Sequence, residues 1–401
     1  MHLTHLSLTN FRLFNRLDME LPRRVLLLVG NNAQGKTTLL EAVYFLSTFT
    51  SFHASSDRQL INFLATREPL AVSRLVAEYQ RQGHSHQIET RLILENNRLR
   101  KEILCDGVRR NMHDAVGNLN AVMFLPQMTR IIEGSPEERR RFLNLLISQA
   151  IPDYSRTLSE YNQALSQRNA LLKQISERGG NNEQLDFWDD ALSQHGASII
   201  HTRIRTIDEV QRLATRIHHQ LTGGHEILRL EYQPAYDPLP TPPVGQYSLP
   251  METQSDRTGL SNHAIQSGFI SNLQAIRTEE IHRGVTTIGP HRDELTFMSN
   301  GINLGIFGSR GQVRTTMMSL KLAEAAWIKQ KTSEFPVLLL DEILAELDIR
   351  RRADILNFLE ESEQAMLTTT DLDLFDNNFV KGCSTWQVES GRAENSDPNK
   401  A

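Results

Sequence analysis

Cysteine is almost absent: Cys105 and Cys383 are the only two among 401 residues. Two thiols cannot build a disulfide framework, which fits a reducing, cytoplasmic compartment. Long apolar runs are missing as well. Short ones such as Val25 to Val29 fall far below the roughly 18 apolar residues of a membrane helix, so no membrane association is expected. The N-terminal MHLTHLSLTNFR lacks the charged-then-apolar pattern of an export signal. The 14 histidines show no metal-ligand spacing with the cysteines, which argues against zinc. Lysine is scarce: eight of the 43 basic residues, with Lys36 alone in the first hundred positions. At a net charge of -5 the chain is no polycation, which excludes a generally sticky nucleic-acid binder and leaves only local positive patches for such a role.

What is present is enough for a large core. Hydrophobic residues make up 39% and charged residues 23%, and the length suggests two or three domains. Leu17, Met19 and Leu21 alternate with Asp18 and Glu20, as in a half-exposed strand. Val25 to Val29 reads as a strand buried on both faces. A glycine-bearing loop follows, then helical spacing from Thr38 to Leu46. Residues 70–112 read as antiparallel hairpins, with turns at Glu95-Asn96-Asn97 and Asp106-Gly107. At Ser135-Pro136-Glu137-Glu138 a capping serine, a proline and two acids announce a helix. Helical stripes run to Arg178 and, after the break Gly179-Gly180-Asn181-Asn182, on to Leu221, which predicts an antiparallel helical hairpin. Six prolines make 233–250 a loop. A helix is expected over 256–282, strands near Thr286 and over Leu295 to Ser299, a helix from Arg314 to Lys329, and a buried strand over Val337 to Leu340. The pattern predicts an α/β head with a mixed sheet, built from 1–135 and 283–392, an inserted helical lobe over 136–282, and a frayed tail at 393–401.

Gly30-Asn31-Asn32-Ala33-Gln34-Gly35-Lys36-Thr37 matches G-x-x-x-x-G-K-[ST] in full, after a strand and before a helix. Glycines let backbone N–H groups of such a loop approach phosphate oxygens, and the helix that begins there, with Thr38 in its first turn, adds its positive end. Lys36 is expected on the β- and γ-phosphates of ATP, and the Thr37 hydroxyl on Mg²⁺. Val337 to Leu340 ends in Asp341-Glu342: Asp341 is expected to hold Mg²⁺ through water, and Glu342 to polarise the attacking water. The run Ser309-Arg310-Gly311-Gln312 opens a helix and offers a hydroxyl, backbone N–H groups and a helix dipole to an anion.

The order of phosphate loop, long insertion, S-x-G-Q helix, LLLDE and Ala345-Glu346-Leu347-Asp348 resembles the P-loop, ABC-type ATPase heads of the SMC and RecF class. Finer matches resemble the RecF family: Asn10-Phe11-Arg12, Ser51-Phe52, Asp57-Arg58, Gly134-Ser135-Pro136 with Arg139 to Leu143, Thr287 to Leu295, Gln312-Val313-Arg314, and Thr368 to Asp371. The chain departs from that pattern at Pro126-Gln127-Met128, where the family usually has Pro-Glu-Asp; Gln127 stands where ABC heads place a glutamine near Mg²⁺. The resemblance implies two heads sandwiching two ATP molecules. Ser309, Gly311 and Gln312 of one copy then complete the phosphate site of the other, and Asp348 faces the dimer. It further implies slow, DNA-stimulated ATP hydrolysis, binding to duplex DNA near single-strand junctions, a RecR-type mediator partner, and a role in recombinational repair. Candidate DNA contacts are Arg139, Arg140 and Arg141, and Arg350, Arg351 and Arg352, with further basic residues around Arg98 to Arg110. His291 and Arg292 read equally as a catalytic element or a structural lock. The rival readings are the ATPase of a transporter, against which the long helical insertion speaks, and an SMC-like scaffold that no longer hydrolyses, against which Glu342 speaks.

Overall fold

The computed structural model describes residues 1–239 and 256–396. The chain forms two compact units: Met1–Met128 with Ser148–Pro152 and Met318–Ala401, and Thr129–Ile147 with Asp153–Met317.

In the first unit, β1 (His2–Phe11) and β2 (Phe14–Glu20) lead to β3 (Val25–Val29) and then to helix α1 (Lys36–Thr48). The long strands β4 (Leu70–Arg81), β5 (His84–Glu95) and β6 (Arg98–Cys105), with the short β7 (Val108–Arg110), complete an antiparallel sheet in the order β2-β1-β4-β5-β6-β7. Its hairpins turn at Gln82-Gly83, Asn96-Asn97 and Asp106-Gly107, and all six residues have positive φ. Two-residue hairpins require that conformation, which is why Gly, Asn and Asp collect there.

After β8 (Ala121–Phe124) the chain leaves for the second unit, where β9 (Leu228–Gln233), β10 (Glu294–Ser299) and β11 (Ile302–Asn303) form a small antiparallel sheet. The first unit resumes with β12 (Val337–Asp341), β13 (Ala365–Thr369), β14 (Ser384–Glu389) and β15 (Arg392–Asn395). These join β3 and β8 in the order β15-β14-β3-β13-β12-β8. All neighbours are parallel except β14 and β15. One hydrophobic core holds residues of both sheets and of α1, including Leu6, Leu75, Leu28, Leu339, Leu40 and Phe45. Helix α1 is buried almost all round, as its Leu-Leu-Glu-Ala-Val-Tyr-Phe-Leu run demands. Each fully buried leucine or phenylalanine here contributes about 1.5–3 kcal/mol of transfer free energy.

The second unit is mostly helical. Helix α2 (Pro136–Ala150) begins with a capping box: the Ser135 N–H donates to Glu138 Oε2 (2.9 Å), and the Glu138 N–H donates to Ser135 Oγ (3.4 Å). Helices α3 (Tyr154–Arg178) and α4 (Gln184–Leu221) pack together across the break at 179–183, and α5 (Asn262–Arg283) packs on both. Leu172, Ile175 and Leu185 form a small apolar cluster there. Helix α6 (Arg310–Thr332) starts in this unit and ends in the first, and α7 (Ile349–Glu360) lies in the first.

Four expectations change. The helix expected over 256–282 begins at Asn262, where Ser261 Oγ accepts from the Ala264 N–H and caps it. Thr286 lies in irregular chain rather than a strand: its hydroxyl donates to Asn169 Oδ1 (2.7 Å) and accepts from Arg168. The segment 283–317, expected in the head, belongs to the helical unit, because β9 pairs with β10 there. Ala393 to Asn395, expected to fray, pair with β14; residues 397–401 and the proline-rich 240–250 lie outside the described residues.

Candidate nucleotide site

Strand β3 delivers the glycine loop at the carboxyl edge of the parallel sheet, where open α/β sheets bind ligands. A Cβ at Gly30 would stand 2.2 Å from the Val388 carbonyl oxygen, so only glycine fits beside β14. Gly35 (φ +115°) and Ala33 (φ +63°) turn the chain into α1. Gln34 ties the loop down: its Oε1 accepts from the Ser390 N–H (2.7 Å), and its carbonyl accepts from the Gly391 N–H (3.2 Å). The Lys36 ammonium is buried, donates to the carbonyls of Gly30 (2.7 Å) and Asn31 (3.0 Å), and lies 3.2 Å from Glu342 Oε1.

Asp341 closes β12, and the parallel register pairs it with Thr368 on β13. Its buried carboxylate accepts from Thr37 Oγ1 (2.8 and 3.0 Å to the two oxygens) and from Thr368 Oγ1 (2.7 Å). A hydroxyl and a carboxylate side by side are the hard oxygen donors that Mg²⁺ takes. Glu342 has a left-handed backbone (φ 51°), which for a non-glycine residue costs on the order of 1–3 kcal/mol. Its N–H donates to Thr368 Oγ1 (3.0 Å), and its half-exposed carboxylate points back to Lys36. Gln127 is exposed in the turn after β8, which registers Phe124 against Leu340; Gln127 and Asp341 therefore leave the same sheet edge from adjacent strands.

Two elements escaped the sequence reading. In the sequence Thr368 stands only in the Thr368 to Asp371 family match, with no role of its own, yet it bridges Asp341 and the Glu342 backbone. Arg12 forms a two-pronged pair with buried Glu41 (2.9 and 2.8 Å), which also accepts from Ser51 Oγ (2.5 Å). Beside that pair, a cavity of about 540 Å³ is lined by Thr37, Thr38, Arg12, His53, Gln59 and Phe63. Of its lining, Thr37 belongs to the loop and Thr38 follows it, and Phe63 is largely exposed.

The S-x-G-Q run lies in the second unit. The Ser309 N–H donates to Gln312 Oε1 (3.0 Å), and the Gln312 N–H donates to Ser309 Oγ (3.2 Å), a second capping box. Gly311 is exposed in its first turn. Asp348 caps α7 by accepting from the Arg351 N–H (3.0 Å), and its side chain is exposed.

The arginine clusters divide by role. Arg139 grips Glu294 with two bonds (2.6 and 2.7 Å) and donates to the Gly134 carbonyl; Arg140 donates to the Asp293 carbonyl (2.9 Å). Arg352 donates to three carbonyls, of Leu344, Leu347 and Leu374, and Arg351 pairs with Asp348 (3.4 Å). Arg139, Arg140 and Arg352 are therefore engaged by the fold, and Arg141 and Arg350 are exposed. His291 also resolves toward structure. Its Nδ1 meets Tyr161 Oη at 2.7 Å inside the helical unit, and burial pushes its pKa down to about 4.

The family model described as the RecF/RecN/SMC N terminal domain matches residues 2–390. The DNA replication and repair protein RecF of Roseiflexus castenholzii is 37% identical over 98% of this chain and 99% of its own length. That of Bacillus cereus is 34% identical over 98% of each. A solved structure of the recombination mediator protein RecF-ATP in the RecFOR pathway superposes with a TM-score of 0.82 at 27% identity, covering 98% of this chain and 99% of that one. An SMC head bound to the C-winged helix domain of ScpA shares the fold alone, with a TM-score of 0.51 at 15% identity over 98% of this chain and 97% of that one.

Proposed function

The chain belongs to the RecF family of ABC-type ATPases, and from that premise we propose that it is an ATP-driven switch of DNA replication and recombinational repair. One observation carries the reading. Thr37 and Asp341 are 304 positions apart, yet they share two hydrogen bonds beside Lys36 and Glu342. A loop that only turned a strand into a helix would not need those four groups together.

In this reading ATP lays its phosphates along the Gly30–Thr37 loop, and Lys36 exchanges its carbonyl partners for phosphate oxygens. Thr37 and Asp341 would hold Mg²⁺, with Gln127 nearby; the ion supplies charge neutralisation of the phosphates. Thr368 keeps Asp341 oriented and fixes the backbone of Glu342. Glu342 then orients water as general base, released from Lys36 when that lysine turns to phosphate. Ser309, Gly311 and Gln312 of a second copy complete the phosphate site, with Asp348 at the junction. Turnover is slow and rises on duplex DNA, so that ATP state reports DNA engagement. DNA contacts come from exposed arginines such as Arg141 and Arg350, near gaps or single-strand junctions. A RecR-type mediator in the cytoplasm receives the complex for recombinase loading.

The test is binding to gapped duplex DNA with and without ATP, under a salt titration. ATP should tighten binding, and affinity should fall steeply with salt, as for sequence-independent phosphate contacts. ATP-independent binding, or turnover unchanged across DNA concentrations, removes the switch.

A further inference from the structure

Glu226 sits in the link between α4 and β9, and three side chains converge on its carboxylate. Ser299 Oγ donates to Oε2 (2.9 Å), His218 Nε2 lies 3.3 Å from the same oxygen, and Gln312 Nε2 donates to Oε1 (3.4 Å). His218 is fully buried on α4. The link itself is pinned by Asn300, whose Oδ1 accepts from the Ile227 N–H (2.9 Å) and whose side-chain amide donates to the His225 carbonyl (3.1 Å). Burial raises the cost of charging Glu226, yet the bonds from Ser299, His218 and Gln312 hold its carboxyl below the ordinary range. It is therefore an anion at neutral pH.

Gln312 is the common member of two arrangements. Its Oε1 accepts from the Ser309 backbone, and its Nε2 donates to Glu226. One amide can serve both only in a single orientation, so Glu226 selects that orientation and with it the loop around Ser309. We propose that Glu226 is a positioning residue of the S-x-G-Q loop: it anchors Gln312, and through Gln312 it holds Ser309 where the nucleotide of a second copy meets it. The assignment rests on the dimer reading above. His218 and Ser299 act one step further out, by holding Glu226. Such placement matters because phosphate stabilisation depends on donors set in advance to within a fraction of an ångström.

The experiment uses the full-length protein titrated with ATP and Mg²⁺, with dimer fraction read by light scattering. Glu226→Ala should raise the ATP concentration for half-dimerisation about tenfold, the scale of one lost charged hydrogen bond. Binding of a fluorescent ATP analogue to the monomer should stay at the wild-type value, because the phosphate loop is untouched. Glu226→Gln keeps an acceptor for Gln312 when its amide nitrogen turns to Ser299, whose hydroxyl can accept instead of donate, and should shift dimerisation far less. At an ATP concentration too low for Glu226→Ala to dimerise by itself, mixing it with Lys36→Met should raise turnover above that of either variant alone: one composite site then joins an intact phosphate loop to an intact S-x-G-Q loop. Wild-type-like dimerisation of Glu226→Ala, or a mixture without rescue, overturns the assignment. A wild-type chain that stays monomeric with ATP removes the dimer reading and this assignment with it.

Discussion

The molecule uses charge in two opposite ways. At the nucleotide site Lys36, Asp341 and Glu342 meet at strand ends, with Glu342 40% exposed and its backbone strained. In the helical unit Arg168 is fully buried between Asp189 (2.6 Å) and Glu280 (2.6 Å), with Thr286 at 2.8 Å. Arg203, also buried, binds Asp293 (2.7 Å), the Pro290 carbonyl (2.6 Å) and Asn144 (2.9 Å). Asp293 in turn accepts from Tyr232 Oη and the Ala235 N–H. The first set is arranged so that a ligand can replace its partners. The second is held by fixed partners, with only Arg168 Nη2 left unpaired among the groups of these two arginines, and burial makes any loss costly. Arginine suits the second task because its fork satisfies several acceptors at once, and lysine suits the first because a compact charge can swing between them.

Breaking each set should therefore give opposite results. Lys36→Met is expected to abolish ATP-dependent dimerisation by light scattering while leaving the thermal midpoint almost unchanged; a variant that still dimerises would show that Lys36 does not hold phosphate. Glu342→Gln should drop turnover by at least about a hundredfold, in the range for a lost general base, and trap an ATP-bound dimer on sizing. A persistent monomer would sink the sandwich. Arg168→Met should leave nucleotide chemistry intact per folded molecule but cost about 3–5 kcal/mol in urea unfolding, since two buried carboxylates lose their common partner. A change under about 1 kcal/mol would place Arg168 among ordinary surface pairs.

The smallest effect separates the two regions by pH. His291 is held near pKa 4, against 6.5 when unfolded, chiefly by burial. A depressed histidine binds fewer protons folded than unfolded, so stability is full above about pH 6.5 and declines as pH falls toward 4. The loss attributable to this group is up to about 3 kcal/mol. His291→Gln should flatten that part of the stability–pH curve; an unchanged slope would mean that other groups carry it.

Legibility followed locality. The hairpin turns at Asn96-Asn97 and Asp106-Gly107, the capping serine at Ser135, the phosphate loop and the strand ending in Asp341-Glu342 are readable, because each needs a residue type at a short, fixed spacing. The expected helical unit ends at 282, while the observed one runs on through Met317, since β10 looks like any head strand until β9 is seen beside it. The arginine triplets looked alike in sequence. Only their partners, Glu294 for Arg139 and three carbonyls for Arg352, show which of them are engaged by the fold. The role of Thr368 is not legible in the sequence for the same reason: a threonine at a strand end acquires meaning from the neighbouring strand.

By itself, the sequence determined that this protein carries a phosphate loop between a buried strand and a helix, with a carboxylate pair to match. Those features follow from glycine's backbone freedom, a lone lysine and the short-range pattern of a buried strand. The tertiary structure alone decided which groups face one another: Thr37 with Asp341, Glu342 turned toward Lys36, Gln312 against Glu226, and arginines divided between surface and interior. Strand register and helix packing make those pairings across tens to hundreds of residues. The charge of a side chain is written in the chain, but its partner is set by the fold.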